Sequence, residues 1–216
     1  MQKLKIVRYP FLAALVLVLL SSWVIFYVDP FLSKSSPVNA DTLLVEAWVD
    51  AKYMPLAIQE FRKGKYNHIF VVGDSLAYDP KRQYKDGLED ITHTIIESGI
   101  DPSHVTAIRT PPKIWHKTWS QALAFRNYLA RSNYPVKAIN VFTLGVHARK
   151  SHLLYQRALR PGIKVGVISA IHCKRSYGPW WLTLSGIYGM FKNSIAYLDA
   201  LLLTGWDDNG FINSKF

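Results

Sequence analysis

The sequence predicts an α/β protein: a Rossmann-like three-layer domain with a mainly parallel sheet, preceded by one N-terminal transmembrane helix. Three observations predict it. Short apolar runs bounded by polar residues recur along the chain, segments of helical periodicity separate them, and a long uncharged stretch near the N-terminus stands apart from both. A chain of 216 residues, half of them hydrophobic, has enough apolar side chains for one substantial core plus an appendage.

Residues 1–9 form a basic flank with Lys3, Lys5 and Arg8, and residues 10–28 carry no charge. An apolar helix of about 20 residues crosses a hydrocarbon layer of about 30 Å, so 10–28 reads as a transmembrane signal anchor. Trp23 and Tyr27 fall near its far end, where amphipathic rings favour the interface. The cationic flank predicts a cytoplasmic N-terminus, hence a single-pass protein of the plasma membrane with its main domain on the extracytoplasmic side. Val38-Asn39-Ala40 resembles a signal-peptidase site, and a cleaved signal peptide is the alternative. The apolar run exceeds the roughly 7–15 residues of a signal h-region, which favours an uncleaved anchor. Residues 29–40, DPFLSKSSPVNA, are rich in Ser and Pro and read as a linker.

Residues 41–216 read as one domain. Leu43 to Val45, Ile69 to Val72 and Ile139 to Leu144 are short apolar runs of the kind buried on both faces of a parallel sheet, and Val105 to Ile108 and Val165 to Ile168 look like further strands. Helical periods occupy residues 53–63, stopping at Gly64; 84–98, with Leu88, Ile91 and Ile95, stopping at Gly99; and 118–131, with Ala122, Phe125 and Leu129. Another helix begins near His147 with Ser151, Leu154, Tyr155 and Ala158 as its apolar stripe. A terminal helix carries Phe191, Ile195, Leu198 and Leu202 on one face. Lys192, Asp199 and the interspersed glycines argue against a second span, so its stripe is expected to pack on the sheet, with Trp180 and Trp181 packing there too; a place at the bilayer surface is the alternative for these two rings.

The formal charge of +11 suggests attraction to anionic lipid or anionic polymer. The cations are scattered and no nucleic-acid-binding motif appears, so nucleic acid is not expected as a partner. Cys173 is the single cysteine, which excludes an intrachain disulfide.

Ligands of open parallel sheets bind beyond the carboxyl ends of the strands. That rule selects Glu46 and Trp48 after the first strand, Asp74 and Ser75 after the second, Lys117 and Thr118 opening a helix, and His147 and Arg149 after the fourth strand. The first turn of a helix presents unpaired N–H groups and the positive end of the dipole, which attract anions. Arg149 and Lys150 at such a turn run against the usual preference for acidic residues there, and a bound phosphate or carboxylate would remove the conflict; side chains pointing into water would be the bland alternative. His147 is a candidate general acid or base with Arg149 holding phosphoryl oxygens. Glu46, Asp74 and His147 form a conceivable metal triple, but such triples arise often by chance and no metal is assigned. No nucleophile elbow, Walker A motif or HExxH is present, and His68, His93, His104, His116, His152 and His172 receive no role.

The order ADTLLV from Ala40, FRKGKY from Phe61, IFVVGD from Ile69, ESGI from Glu97, Lys117-Thr118 and Thr143-x-x-x-His147-x-Arg149 resembles the DUF218 family, that of the YdcF, SanA and ElyC type proteins. The likeness covers roughly residues 40–168. VEAWV at Val45 is similar to a branch whose first strand ends in VEGW, and Trp180 and Trp181 fit that branch. The resemblance implies a Rossmann-like domain, often tethered to the inner membrane, associated with envelope integrity and with cell-wall (peptidoglycan) or exopolysaccharide metabolism, with Thr118, His147 and Arg149 as pocket residues. The chain departs from the family where glycine-rich turns follow strands one and two. Glu46-Ala47-Trp48 and Gly73-Asp74 stand there instead, leaving less backbone freedom to cradle a pyrophosphate.

The leading expectation is therefore a membrane-anchored envelope protein whose α/β pocket binds a phosphate-bearing or sugar-linked envelope precursor, with Thr118, His147 and Arg149 gathered at one rim. A noncatalytic scaffold of an envelope complex, and a transferase-like enzyme binding S-adenosylmethionine or a nucleotide, are the alternatives. No cofactor is assigned.

Overall fold

The computed structural model describes residues 3–64, 66–74, 87–111, 116–170 and 179–202. Five strands, β1 (Thr42–Glu46), β2 (His68–Asp74), β3 (Val105–Thr110), β4 (Ala138–Thr143) and β5 (Lys164–Ser169), form one all-parallel sheet in the order β3-β2-β1-β4-β5. Each expected strand is present within a residue or two. Helices α3 (Met54–Lys63) and α4 (Gly87–Glu97) cover one face, and α5 (Lys117–Ser132) and α6 (Ala148–Leu159) the other. The strand period of two divides β1 between the layers. Leu43 and Val45 pack with Met54, Ile58, Ile91 and Ile95, whereas Leu44 packs with Phe125, Leu154 and Tyr155. Glu46, two residues beyond Leu44, takes the α5/α6 side as well.

The expected glycine stops differ in geometry. Gly99 ends the α4 segment at φ +90, the left-handed conformation that a side chain resists, whereas Gly64 is extended after α3. Residues 84–86 of the expected second helix lie outside the described residues.

The N-terminal apolar segment is one helical path: α1 (Lys3–Trp23), a π-helical turn over Val24–Val28, and α2 (Asp29–Leu32). The helix Tyr9–Leu32 is long and apolar enough to cross a membrane, its most apolar 18-residue window having a mean hydropathy of 2.5, and the helical path continues past residue 28. Asp29 does not stop it, because its carboxylate accepts the Ser33 hydroxyl one turn on at 2.8 Å.

The segment expected to be a linker is instead docked on the domain. Leu32 and Ser33 are buried, and Ser36 pairs antiparallel with Val167 on the outer edge of β5. An open strand edge offers unpaired backbone groups, and this segment takes them. The buried Asn140 of β4 completes the attachment: its amide oxygen accepts Val38 N–H at 2.9 Å, and its amide nitrogen donates to Val38 C=O at 2.9 Å and to the Tyr66 hydroxyl at 2.8 Å. Gly166 makes room, since a Cβ there would overlap Asn140 and the Val38 amide.

The terminal helix α7 (Leu184–Leu202) also departs from expectation. It packs on α6 rather than on the sheet, because α5 and α6 already fill that face. Ala200 joins the core and Met190 meets Leu32 and Trp180, while Arg157 donates to the carbonyls of Ala200 and Leu201 at the helix end. Trp180 is buried as expected, but Trp181, Phe191, Ile195, Leu198 and Leu202 are exposed.

Replacing Asn140 by Leu leaves the part-buried Val38 N–H and carbonyl without their partner and takes one donor from the Tyr66 hydroxyl, which keeps Glu60, at about 1–3 kcal/mol for each group that water does not reach. Urea denaturation of Asn140→Leu is expected to show a loss of roughly 3 kcal/mol, against less than about 0.5 kcal/mol for the exposed Gln59→Ala. Equal stability of the two variants would contradict this account of the attachment.

Candidate functional site

Strand order reverses between β1 and β4, so the binding crevice of this sheet lies beyond their carboxyl ends. Glu46 ends β1 and Thr143 ends β4, and both are fully buried. The Ser151 hydroxyl donates to the two Glu46 carboxylate oxygens at 3.0 and 3.1 Å, and Trp48 Nε1–H donates to Oε2 at 3.0 Å. Burial pushes the Glu46 carboxyl up from its ordinary value, against the opposing pull of Thr143, Lys150, Trp48 and Ser151. The Thr143 hydroxyl exerts that pull from close by without a hydrogen bond of normal geometry. Tyr155, fully buried beneath, is pushed up by burial and by Glu46, and its hydroxyl has no hydrogen-bond partner among the described residues.

The β4–α6 connection sets the other side. Gly145 takes a left-handed conformation at φ +47, a 3₁₀ turn follows over Gly145–His147, and α6 begins at Ala148. The His147 ring lies 4.3 Å from that of Trp48, centroid to centroid, and its Nδ1 is buried with no hydrogen-bond partner among the described residues. Burial first, then Lys150 and Lys192, push the imidazole down to about 3, so His147 is neutral near pH 7. Lys150 is pushed down by burial and by Lys192, while Glu46 and Asp199 hold its charge.

Arg149 is not brought to this group. Successive residues of a helix point about 100° apart, and Arg149, Lys150 and Ser151 diverge accordingly. Ser151 meets Glu46, and Lys150 lies within electrostatic reach of Glu46, Lys192 and Asp199. Arg149 turns to the docked segment, where Nε–H donates to the Phe31 carbonyl at 2.8 Å and the guanidinium sits 3.8 Å above the Phe31 ring. There it lines a separate cavity of about 280 Å³ with Lys34, Ser36, His152, Gln156 and Tyr197. Thr118 is buried in the first turn of α5. Arg149 therefore does not share a rim with His147. Glu46, Trp48 and His147 come together, joined by Thr143, Lys150 and Ser151.

Lys117 Nζ lies 2.9 Å from Asp74 Oδ2, tying the start of α5 to the end of β2. His116, left-handed at φ 53, lies 3.4 Å from the Asp199 carboxylate of α7. Ser75 is outside the described residues. Among the described residues no three His, Cys, Asp or Glu side chains converge as a metal site requires. Of the residues that sequence reasoning did not select, Ser151 left a readable trace: a hydroxyl inside an otherwise apolar helical stripe.

The depressed His147 imidazole has a consequence for stability. Its folded value, about 3, lies below the ordinary value near 6.5, so its contribution is fully present above about pH 6.5 and is lost as pH falls toward about 3. The raised Glu46 has the opposite sign, gaining stability as pH falls. Glu46 is common to wild type and His147→Gln, so comparing the two isolates the histidine. Between about pH 7.5 and about pH 5, urea denaturation is expected to show wild type losing roughly 1–2 kcal/mol more than His147→Gln. Parallel losses would show that the imidazole is not held neutral by the fold. A comparison with known protein families and with curated protein sequences finds no match, and a functional reading rests on these residues.

Proposed function

We propose that this chain is a membrane-anchored protein of the cell envelope whose α/β domain binds a phosphate-bearing or sugar-linked envelope precursor in the crevice beyond β1 and β4. The observation that carries the reading is the buried polar cluster at the strand-order reversal: a carboxyl, an amine and an imidazole with an unpartnered nitrogen. Desolvating such groups costs several kcal/mol unless they are paired. The remainder of the α5/α6 layer is built mainly from apolar side chains, including Trp119 and Tyr155, with Thr118 and Gln121 of α5 the other buried polar residues of those helices, and none of these carries a charge. Concentrated at a ligand-binding edge, the carboxyl, amine and imidazole fit a site better than a structural device.

Lys150 supplies positive charge for a phosphate. Burial pushes Glu46 up and His147 down, so two titratable groups with opposed shifts stand in one cluster. The apolar N-terminal helix supports a membrane anchor, and its basic flank supports an extracytoplasmic domain. The DUF218-like motifs support an envelope role. The turn Glu46-Ala47-Trp48 offers an indole where a nucleotide pyrophosphate needs close backbone amides, which disfavours the S-adenosylmethionine and nucleotide reading.

The test uses the full chain in nanodiscs, with a polyprenyl phosphate and a nucleotide sugar as probes in equilibrium binding. Lys150→Ala is expected to weaken binding of the preferred probe at least tenfold, about 1.4 kcal/mol, with Arg149→Ala close to wild type. Binding that survives Lys150→Ala, or that neither probe shows, would remove the proposal.

A further inference from the structure

The outward face of α7 is a continuous apolar stripe. Leu184, Tyr188, Phe191, Ile195, Leu198 and Leu202 follow one another at alternating spacings of four and three residues, the repeat that holds one helical face. Their exposures run from 56% at Leu198 to 88% at Leu184. The opposite face, with Met190 and Ala200, is the one that packs on the domain. A stripe of this length in water would be a liability, and such patches mark an interaction surface.

Its position relative to the anchor identifies the partner. Trp23 and Tyr27 stack at a centroid separation of 6.1 Å near the end of the apolar helix, where an aromatic belt marks the bilayer boundary. Trp181, just before α7, lies 6.3 Å from Phe26 at that same level and at right angles to Trp180. Further along α7, Tyr197 meets Phe31 edge-on at 5.7 Å. From the start of α7 to Tyr197 the helix covers about 20 Å, while Phe26 to Phe31 covers about 7.5 Å of the anchor. Helix α7 therefore crosses the anchor steeply, closer to the plane of a membrane than to its normal. The cations Lys34 and Arg149, which flank Tyr197, stand just past the end of the span, where lipid phosphates would lie.

We infer that α7 lies in the headgroup and acyl boundary of the bilayer that holds the anchor, its Leu184–Leu202 stripe in lipid, so that the domain is seated on the membrane at two places. This rests on the membrane-anchored reading above and adds a second, monotopic contact to it.

The experiment uses the full chain with Cys173→Ser, in nanodiscs of phosphatidylethanolamine and phosphatidylglycerol, spin-labelled singly at Leu17→Cys, Leu184→Cys, Phe191→Cys or, as control on the far layer, Gln59→Cys. Relative collision rates with oxygen and with a water-soluble nickel chelate report lipid or water exposure. Lipid-type ratios at 17, 184 and 191 and a water-type ratio at 59 are expected. Water-type ratios at 184 and 191 with lipid at 17 would overturn the inference and leave the anchor standing. A water-type ratio at 17 would remove the anchor and this inference together. Strong spin–spin coupling between copies at 184 and 191 would overturn it in favour of self-association.

Discussion

The carboxyl of Glu46 is the constraint around which the crevice is organised. Strand alternation sends Leu44 and Glu46 to the same layer, so an acid stands where the next apolar side chain would otherwise be. A buried carboxylate without donors would cost far more than the domain can spare. Two hydrogen-bonding residues answer it from different elements. Ser151 reaches in from the first turn of α6, and Trp48 folds back from the turn after β1. Each response fixes something else. The folded-back indole brings its ring against His147, and the Ser151 contact sets the rotation of α6, which in turn decides where Arg149 and Lys150 point.

That rotation separates what the sequence could reveal about the site from what it could not. The strand-end rule leads to Glu46, Trp48 and His147 because it depends only on where strands stop, which apolar runs display. It does not distinguish Arg149 from Lys150. Neighbours on a helix differ by about 100°, and the angle at which α6 meets the sheet follows from the buried Ser151–Glu46 contact, which joins residues 105 positions apart. Thr143 was hidden for a similar reason. A threonine closing a strand looks like ordinary β-propensity until the acid beside it is known.

The two departures in the fold share a cause. Sequence patterns report that a segment is polar or that a helix has an apolar face, but not which surface meets it. Residues 29–40 have the composition of a linker, yet the free edge of β5 and the amide of Asn140 hold them. The α7 stripe has the period of a core helix, yet the face of the sheet it would cover is occupied by α5 and α6. In both cases the deciding quantity is a vacancy or an occupancy elsewhere in the fold, which local periodicity does not encode. Strands and layer-forming helices were legible because their apolar faces have one destination in an α/β domain.

Helix α7 links these two departures to the site. Its Lys192 lies within electrostatic reach of His147 and Lys150, and its Asp199 acts on Lys150 and pairs with His116 at the head of α5. The helix thus presents a stripe of apolar side chains outward while its flanking charges help set the protonation of the crevice. A group such as Lys150, nearly buried between the opposite charges of Glu46 and Asp199 and the like charge of Lys192, responds to small changes in their distances, because the local dielectric screens them weakly. Any displacement of α7 would therefore alter the charge state of Lys150. The docked segment limits such displacement, since Leu32 packs against Met190 and Phe31 against Tyr197, binding α7 to the end of the N-terminal helix. Attachment of that helix, placement of α7 and charge at the strand ends are in this way one mechanical problem, solved by the packing of the segment from Phe31 to Val38 against α7, β5 and Asn140.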